Sequence, residues 1–228
     1  MFLPTTHVSA EETGNRLDKL LNLIDEKYPN LYVMPALANR YADTDLRVPG
    51  DDLYYVVVDP NFGAKVLNSA FYRGGYQENY LPFVEYIVDR FKDHPRIFAW
   101  QLGSELATED PQLLASFSQS VAKRIKELDP HHLVTTGLAG TNMSAGMRDN
   151  LQSRLALYNS PYIDFVTIHA YNGEYAMDDS DLAHLLNRPF VVEAGFGDPT
   201  SERMDRASTV AVDTVSYTHL TLPTSDLV

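Results

Sequence analysis

Short apolar runs that each stop at a carboxylate constrain the fold of this chain more than any other feature. Residues 96–106 read RIFAWQLGSEL: Ile97, Phe98, Ala99 and Trp100 are apolar, and Gly103, Ser104 and Glu105 follow. So short a run, rich in aromatic and β-branched side chains, predicts a strand buried on both faces, as in a parallel sheet. Gly103 suits the bend where such a strand becomes a loop. Glu105 would then stand at the carboxyl end of a buried parallel strand, the end where barrel folds carry their active sites. For one Glu alone, a solvated loop position is the competing reading. Residues 188–197, RPFVVEAGFG, repeat the design: Phe190, Val191 and Val192, then Glu193 and a glycine-rich exit. Residues 164–171, DFVTIHAY, supply a third strand ending in His169 and Tyr171. Side chains two apart on a strand share a face, so both can point at a common site.

Between these strands the periodicity is helical. Leu17, Leu20, Leu21 and Ile24 form a stripe over residues 11–26, and residues 31–38, LYVMPALA, follow as a strand. Residues 79–92 carry Tyr80, Val84, Ile87, Val88 and Phe91 at helical spacing. Asp110 and Pro111 open the next helix as cap and first residue, with Leu114, Phe117, Val121, Ile125 and Leu128 on its apolar face. Residues 133–137 form a strand, 144–157 a helix, and 179–186 a short helix before the Glu193 strand. Residues 47–75 are punctuated by Pro49-Gly50, Asp59-Pro60 and Gly74-Gly75 and read as a long loop. Alternation of this kind makes the chain α/β with a parallel sheet, and its regularity favours a (β/α)8 barrel.

Two strands of one design, each delivering a Glu, form a carboxylate pair. Glycoside hydrolysis needs such a pair, one group as acid and the other as base or nucleophile. The three stretches resemble glycoside hydrolase family 5 and its clan of (β/α)8-barrel retaining β-glycosidases. The W-x-L-G-N-E stretch of that family matches residues 100–105 at all but one position, its H-x-Y matches His169-Ala170-Tyr171, and its V-x-E with a following glycine matches residues 191–195. The resemblance covers roughly residues 31–197. It implies Glu105 as general acid/base and Glu193 as nucleophile, with Asn39, Ser104, His169, Tyr171 and Tyr72 binding substrate; His169 would also orient a carboxylate or sugar hydroxyl, and Tyr171 would donate to Glu193. It implies no cofactor, and no residues here have zinc-ligand spacing. His131, His132 and His184 read as surface residues near helix ends, and Trp100 as packing. Ser104 departs from the family, which has Asn there to bind the sugar 2-hydroxyl; serine is shorter and offers one donor rather than two.

The resemblance makes residues 31–38, 97–102, 133–137, 164–169 and 190–193 strands three to seven. A closed barrel needs eight strands, typically in about 250 residues. The expectation is an incomplete barrel of five to six strands over residues 1–215, lacking its early strands and its last one. Residues 216–228, SYTHLTLPTSDLV, read as a non-native tail resembling translated adapter sequence. The expected activity is retaining hydrolysis of a β-1,4-linked polysaccharide, mannan- or cellulose-like, with activity of so short a chain left open. The alternatives are a non-catalytic carbohydrate-binding barrel, to which Ser104 points, and an exo-acting β-glycosidase of the same clan. The expected partner is a poly- or oligosaccharide. A formal net charge of −13 disfavours nucleic acid and anionic membranes. No run is long and apolar enough to span a bilayer. The absence of cysteine excludes disulfides and thiolate chemistry. The first twelve residues lack the basic start and apolar centre of a signal peptide, and the family's habit makes the intact parent secreted or periplasmic.

Overall fold

A computed structural model of the chain describes residues 9–40, 56–58, 65–78, 80–139, 150–169 and 176–194. Its centre is a row of parallel strands: β3 (Ala99–Gln101), β4 (Leu133–Thr135), β5 (Val166–His169) and β6 (Phe190–Ala194). β3 pairs with β4 and β5 with β6, both in parallel. β4 and β5 are joined by Asp164 N–H donating to Val134 O at 2.8 Å and His169 N–H donating to Ala139 O at 3.2 Å. On the other side of β3, residues 33–39 run parallel to it and bridge it at Val33–Ile97, Ala36–Gln101 and Asn39–Ser104. The five expected strand segments are thus neighbours in sequence order, although the first meets β3 at three bridges instead of along a continuous ladder. Parallel neighbours in sequence order need crossover connections, which an intervening helix usually supplies.

Helices pack against the row and against one another. α1 (Ala10–Lys27) is capped by Ser9, whose hydroxyl accepts the Glu12 N–H at 3.1 Å, and it buries Leu17, Leu21 and Ile24. α3 (Tyr80–Phe91) buries Val84, Ile87, Val88 and Phe91. α4 (Pro111–Leu128) starts where Asp110 accepts the N–H groups of Gln112 and Leu113, and buries Leu114, Phe117, Val121 and Ile125. α6 spans Ala176–Leu185. Of these, α4 packs on β4, and α6 on β5 and β6. Among the described residues no helix is long and apolar enough to cross a membrane.

Two expectations are corrected. The helix assigned to residues 144–157 begins later: α5 is Leu151–Tyr158, because Asn150 accepts the Ser153 N–H and caps it. Residues 140–149 lie outside the described residues. The long loop over residues 47–75 contains regular structure: β1 (Val56–Val58) and β2 (Lys65–Leu67) form an antiparallel pair, followed by α2 (Ser69–Arg73), which Asn68 caps. Pro and Gly punctuate a hairpin as they do an irregular loop, so composition alone did not separate the two.

At the end of the row from which the strands start, Asp129 is completely buried. Its Oδ2 accepts the Trp100 indole N–H at 2.7 Å and lies 2.6 Å from His132 Nδ1. Its Oδ1 accepts the N–H groups of His131 and His132 at 3.1 and 3.0 Å. His132 is therefore a half-buried partner of Asp129 and not the surface residue expected. Burial alone would raise the Asp129 carboxyl, but the Trp100 and His132 donors outweigh it and hold the group below the usual carboxylate range. A carboxyl depressed in the folded state contributes stability above its unfolded value near pH 4 and loses it as pH falls through the folded value. Asp129→Ala leaves the Trp100 N–H buried without an acceptor and is expected to cost about 2–4 kcal/mol in urea unfolding at pH 7. The difference from wild type is expected to shrink as the pH is lowered from 4 towards 2.

Candidate active site

At the opposite end of the row three strands deliver ionisable side chains. Glu105 follows β3. The segment before it is pinned by Ser104 N–H donating to Ala38 O and Arg40 N–H donating to Ser104 O, both at 2.9 Å. Glu105 itself donates its N–H to Gly137 O at 2.7 Å. Its φ of 56° lies in the left-handed region, which costs a residue with a Cβ roughly 1–2 kcal/mol. Held strain of this kind concentrates at functional sites. The unusual backbone therefore sits on Glu105 and not on Gly103, whose added Cβ would instead meet the Leu106 side chain at 2.9 Å.

β5 ends in His169 and β6 carries Glu193. Their register shifts at this point: Ile168 pairs with Val192, and His169 pairs with Ala194. Glu193 is the extra residue of a bulge, a device that re-aims side chains beside active sites. His169 Nδ1 lies 2.7 Å from Glu105 Oε1, and its Nε2 lies 3.3 Å from Glu193 Oε2. One imidazole thus bridges two carboxylates. All three side chains are largely buried, at 7% exposure for His169, 13% for Glu105 and 8% for Glu193. Burial alone would lower the His169 imidazole; its bonds to Glu105 and Glu193 outweigh that and push it up to about 9. Glu193 Oε1 is buried and has no hydrogen-bond partner among the described residues.

The structure therefore brings Glu105, His169 and Glu193 together, with Asn39 and Ser104 paired beside Glu105. Tyr171 lies outside the described residues. Tyr72 is corrected: it is 1% exposed, edge-on to Phe71 and Phe117 at 5.2 and 5.3 Å, and its hydroxyl accepts the Ala107 N–H at 3.2 Å. Burial pushes that hydroxyl up. Tyr72 belongs to an aromatic core cluster with Phe71, Tyr76, Tyr80 and Phe117, so it has no face left to stack on a sugar. Gln101 was missed. Its Nε2 donates to Glu193 Oε2 at 2.7 Å while its residue is 4% exposed. The available signal was a lone amide in an otherwise apolar strand, since a buried polar side chain must find a partner.

A family model described as glycoside hydrolase family 5, β-mannosidase-like, matches residues 70–199. The chain belongs to glycoside hydrolase family 5. This family 5 chain is 28% identical over 116 residues to the probable mannan endo-1,4-β-mannosidase F of Aspergillus flavus, an alignment covering 46% of this chain and 24% of that protein. It is also 28% identical over 179 residues to the probable mannan endo-1,4-β-mannosidase C of Aspergillus terreus, covering 68% of this chain and 40% of that one. The matches thus span between about a quarter and two fifths of these relatives' length. Among solved structures, the hyperthermostable endo-1,4-β-D-mannanase of Thermotoga petrophila RKU-1 superposes with a TM-score of 0.67 over 90% of this chain and 66% of its own, at 18% identity. The family 5 mannosidase of Rhizomucor miehei gives 0.58 over 83% and 53%, at 19% identity. These superpositions show that the chain shares the fold of family 5 mannanases.

Two outcomes are expected of this geometry. The imidazole of His169, followed by NMR, titrates near pH 9 instead of near its ordinary 6.5. Because its folded value is raised, its contribution to stability is complete below pH 6.5 and lost as pH rises through 9. A midpoint near 6.5 would show that the bridge between the carboxylates does not form. For Tyr72→Phe, we expect a loss of about 1 kcal/mol in unfolding free energy and an unchanged KM for any glycan substrate; a raised KM would return Tyr72 to the binding surface.

Proposed function

We propose that this chain is the acid/base- and nucleophile-bearing part of a retaining glycoside hydrolase acting on β-1,4-linked mannan or a related β-linked polysaccharide. The observation that carries this reading is the imidazole of His169 held between the carboxylates of Glu105 and Glu193. Family membership supports the reaction class, and the mannanase relatives support the substrate class. Glu193 is the nucleophile: its carboxylate attacks the anomeric carbon as the glycosidic C–O bond breaks. Glu105 gives its proton to the departing oxygen. Water then attacks the glycosyl ester, Glu105 takes the water's proton, and the Glu193–glycosyl bond breaks, leaving the starting configuration at the anomeric carbon. His169 ties the two roles together, since a proton shared with Glu105 can pass between them across one short hydrogen bond. Asn39, Ser104 and Tyr171 are assigned to the substrate hydroxyls around that bond.

The row of five parallel segments supports reading them as consecutive strands, three to seven, of a (β/α)8 barrel sheet spread over residues 1–215, with residues 216–228 as a tail outside it. In this reading the crossovers put every carboxyl-terminal strand end, and so both Glu residues, on one rim.

Hydrolysis of β-1,4-mannan by the wild-type chain is expected to fall by at least about 10³-fold in Glu105→Ala and in Glu193→Ala, the scale seen when a member of a catalytic constellation is removed. Azide is expected to separate the roles. Glu193→Ala should yield a glycosyl azide of inverted configuration, because azide replaces the nucleophile. Glu105→Ala should yield one of retained configuration, because azide replaces the water. Mannan binding with no turnover by the wild type would overturn the hydrolase reading in favour of a carbohydrate-binding barrel.

A further inference from the structure

Gln101 lies in β3, between residues 33–39 and β4. Its own N–H donates to Pro35 O at 3.1 Å and its carbonyl accepts the Leu37 N–H at 2.9 Å, so the backbone on one side is fully engaged. On the other side it is in register with Thr135 of β4. Neighbouring side chains alternate across the strand. Trp100 points to the helices, where its indole N–H meets Asp129, and Gln101 points the other way, to Glu193. Gly137 keeps this route open. Its φ of 73° suits glycine, and an added Cβ would stand 2.0 Å from Gly103 O and 2.2 Å from Gln101 Nε2. The same Gly137 accepts the Glu105 N–H through its carbonyl. A side chain at this position would therefore disturb both carboxylates.

We propose that Gln101 is a positioning residue for Glu193, engaging Oε2 and so fixing the plane in which the carboxylate meets the reacting carbon. This rests on the reading of Glu193 as the nucleophile. Oε2 faces two donor positions, the Gln101 amide at 2.7 Å and His169 Nε2 at 3.3 Å. Oε1 is buried and unpartnered among the described residues. A carboxylate held by one oxygen cannot rotate freely, so its free oxygen keeps one direction, and reaction in a bound complex depends steeply on such alignment. Among the described residues, the groups that face Glu193 are Gln101 from β3, His169 from β5 with Glu105 behind it, and more distantly Tyr158 from α5, which senses the Glu193 charge.

The test isolates the attack itself. 2-Deoxy-2-fluoro-β-D-mannosyl fluoride carries a leaving group that departs without acid help: the Glu193 carboxylate forms a bond to the anomeric carbon, the C–F bond breaks, and fluoride leaves with the electron pair. Intact-protein mass gives the rate, and peptide mapping gives the site. Wild type is expected to label on Glu193. Gln101→Met keeps the length without the donor and is expected to label about 10- to 100-fold more slowly, the value of one hydrogen bond to a charged group, in protein that circular dichroism shows to be folded at the assay temperature. Gln101→Glu should label slowly above neutral pH and recover as the pH falls, because a proton shared between the two carboxyls restores the missing donor. A merely structural glutamine would not create that pH dependence. If wild type labels on Glu193 and Gln101→Met labels equally fast, the positioning role is overturned and the nucleophile stands. If wild type does not label on Glu193, the nucleophile reading falls and the role of Gln101 falls with it.

Discussion

Two carboxylates and an imidazole buried together at the ends of apolar strands are unstable in almost any arrangement but a paired one. Removing each charge from water costs several kcal/mol, and only close, well-aligned partners offset it. The Glu105–His169–Glu193 bridge meets that demand with bonds of 2.7 and 3.3 Å. Its geometry in turn depends on the sheet. Each of the three side chains comes from a different strand end, so a change of register between neighbouring strands would carry one of them away from the others. The bulge at Glu193 and the left-handed backbone at Glu105 are local departures from regular geometry. Both fall on a carboxylate, where positioning is worth more than backbone comfort.

β3 divides its polar groups between the two faces and the two ends of the sheet. Trp100 and Gln101 are consecutive and point to opposite faces. Trp100 closes a buried network with Asp129 and His132 at the end from which the strands start. Gln101 reaches across the interior to Glu193 at the other end. The first network holds helix α4 to the sheet and β4 in its place. The second holds one carboxylate oxygen of Glu193. This is the separation of stability from chemistry expected of parallel α/β folds, in which the amino-terminal strand ends serve packing and the carboxyl-terminal ends carry function.

Much of this was legible in the linear chain because it depends on local pattern. Apolar stripes on α1, α3 and α4 gave the helices, and Asp110 is the cap that its place before Pro111 announces, with its side-chain oxygen on free N–H groups. Buried runs ending in Glu105, His169 and Glu193 marked the strand ends and the family motifs. Less was legible where identical residue types serve two purposes. Tyr72 is an aromatic residue near glycines whether it packs in a core or lines a cleft, and only its neighbours Phe71 and Phe117 decide between them. Residues 56–58 and 65–67 pair as antiparallel strands behind Pro and Gly signals that also mark irregular loops.

The sequence by itself determined the alternation of strands and helices and the family, and it marked the two Glu residues and the His as candidates, because spacing and residue type along one strand carry that information. Tertiary structure decided that His169 touches both carboxylates at once, that Gln101 belongs with Glu193, that Gly137 must lack a side chain, and that Asp129 is a buried acceptor. Each of these is a contact between residues roughly 25 to 90 positions apart. Such contacts are fixed by strand register and by the space left between packed neighbours, quantities that no stretch of the chain holds alone.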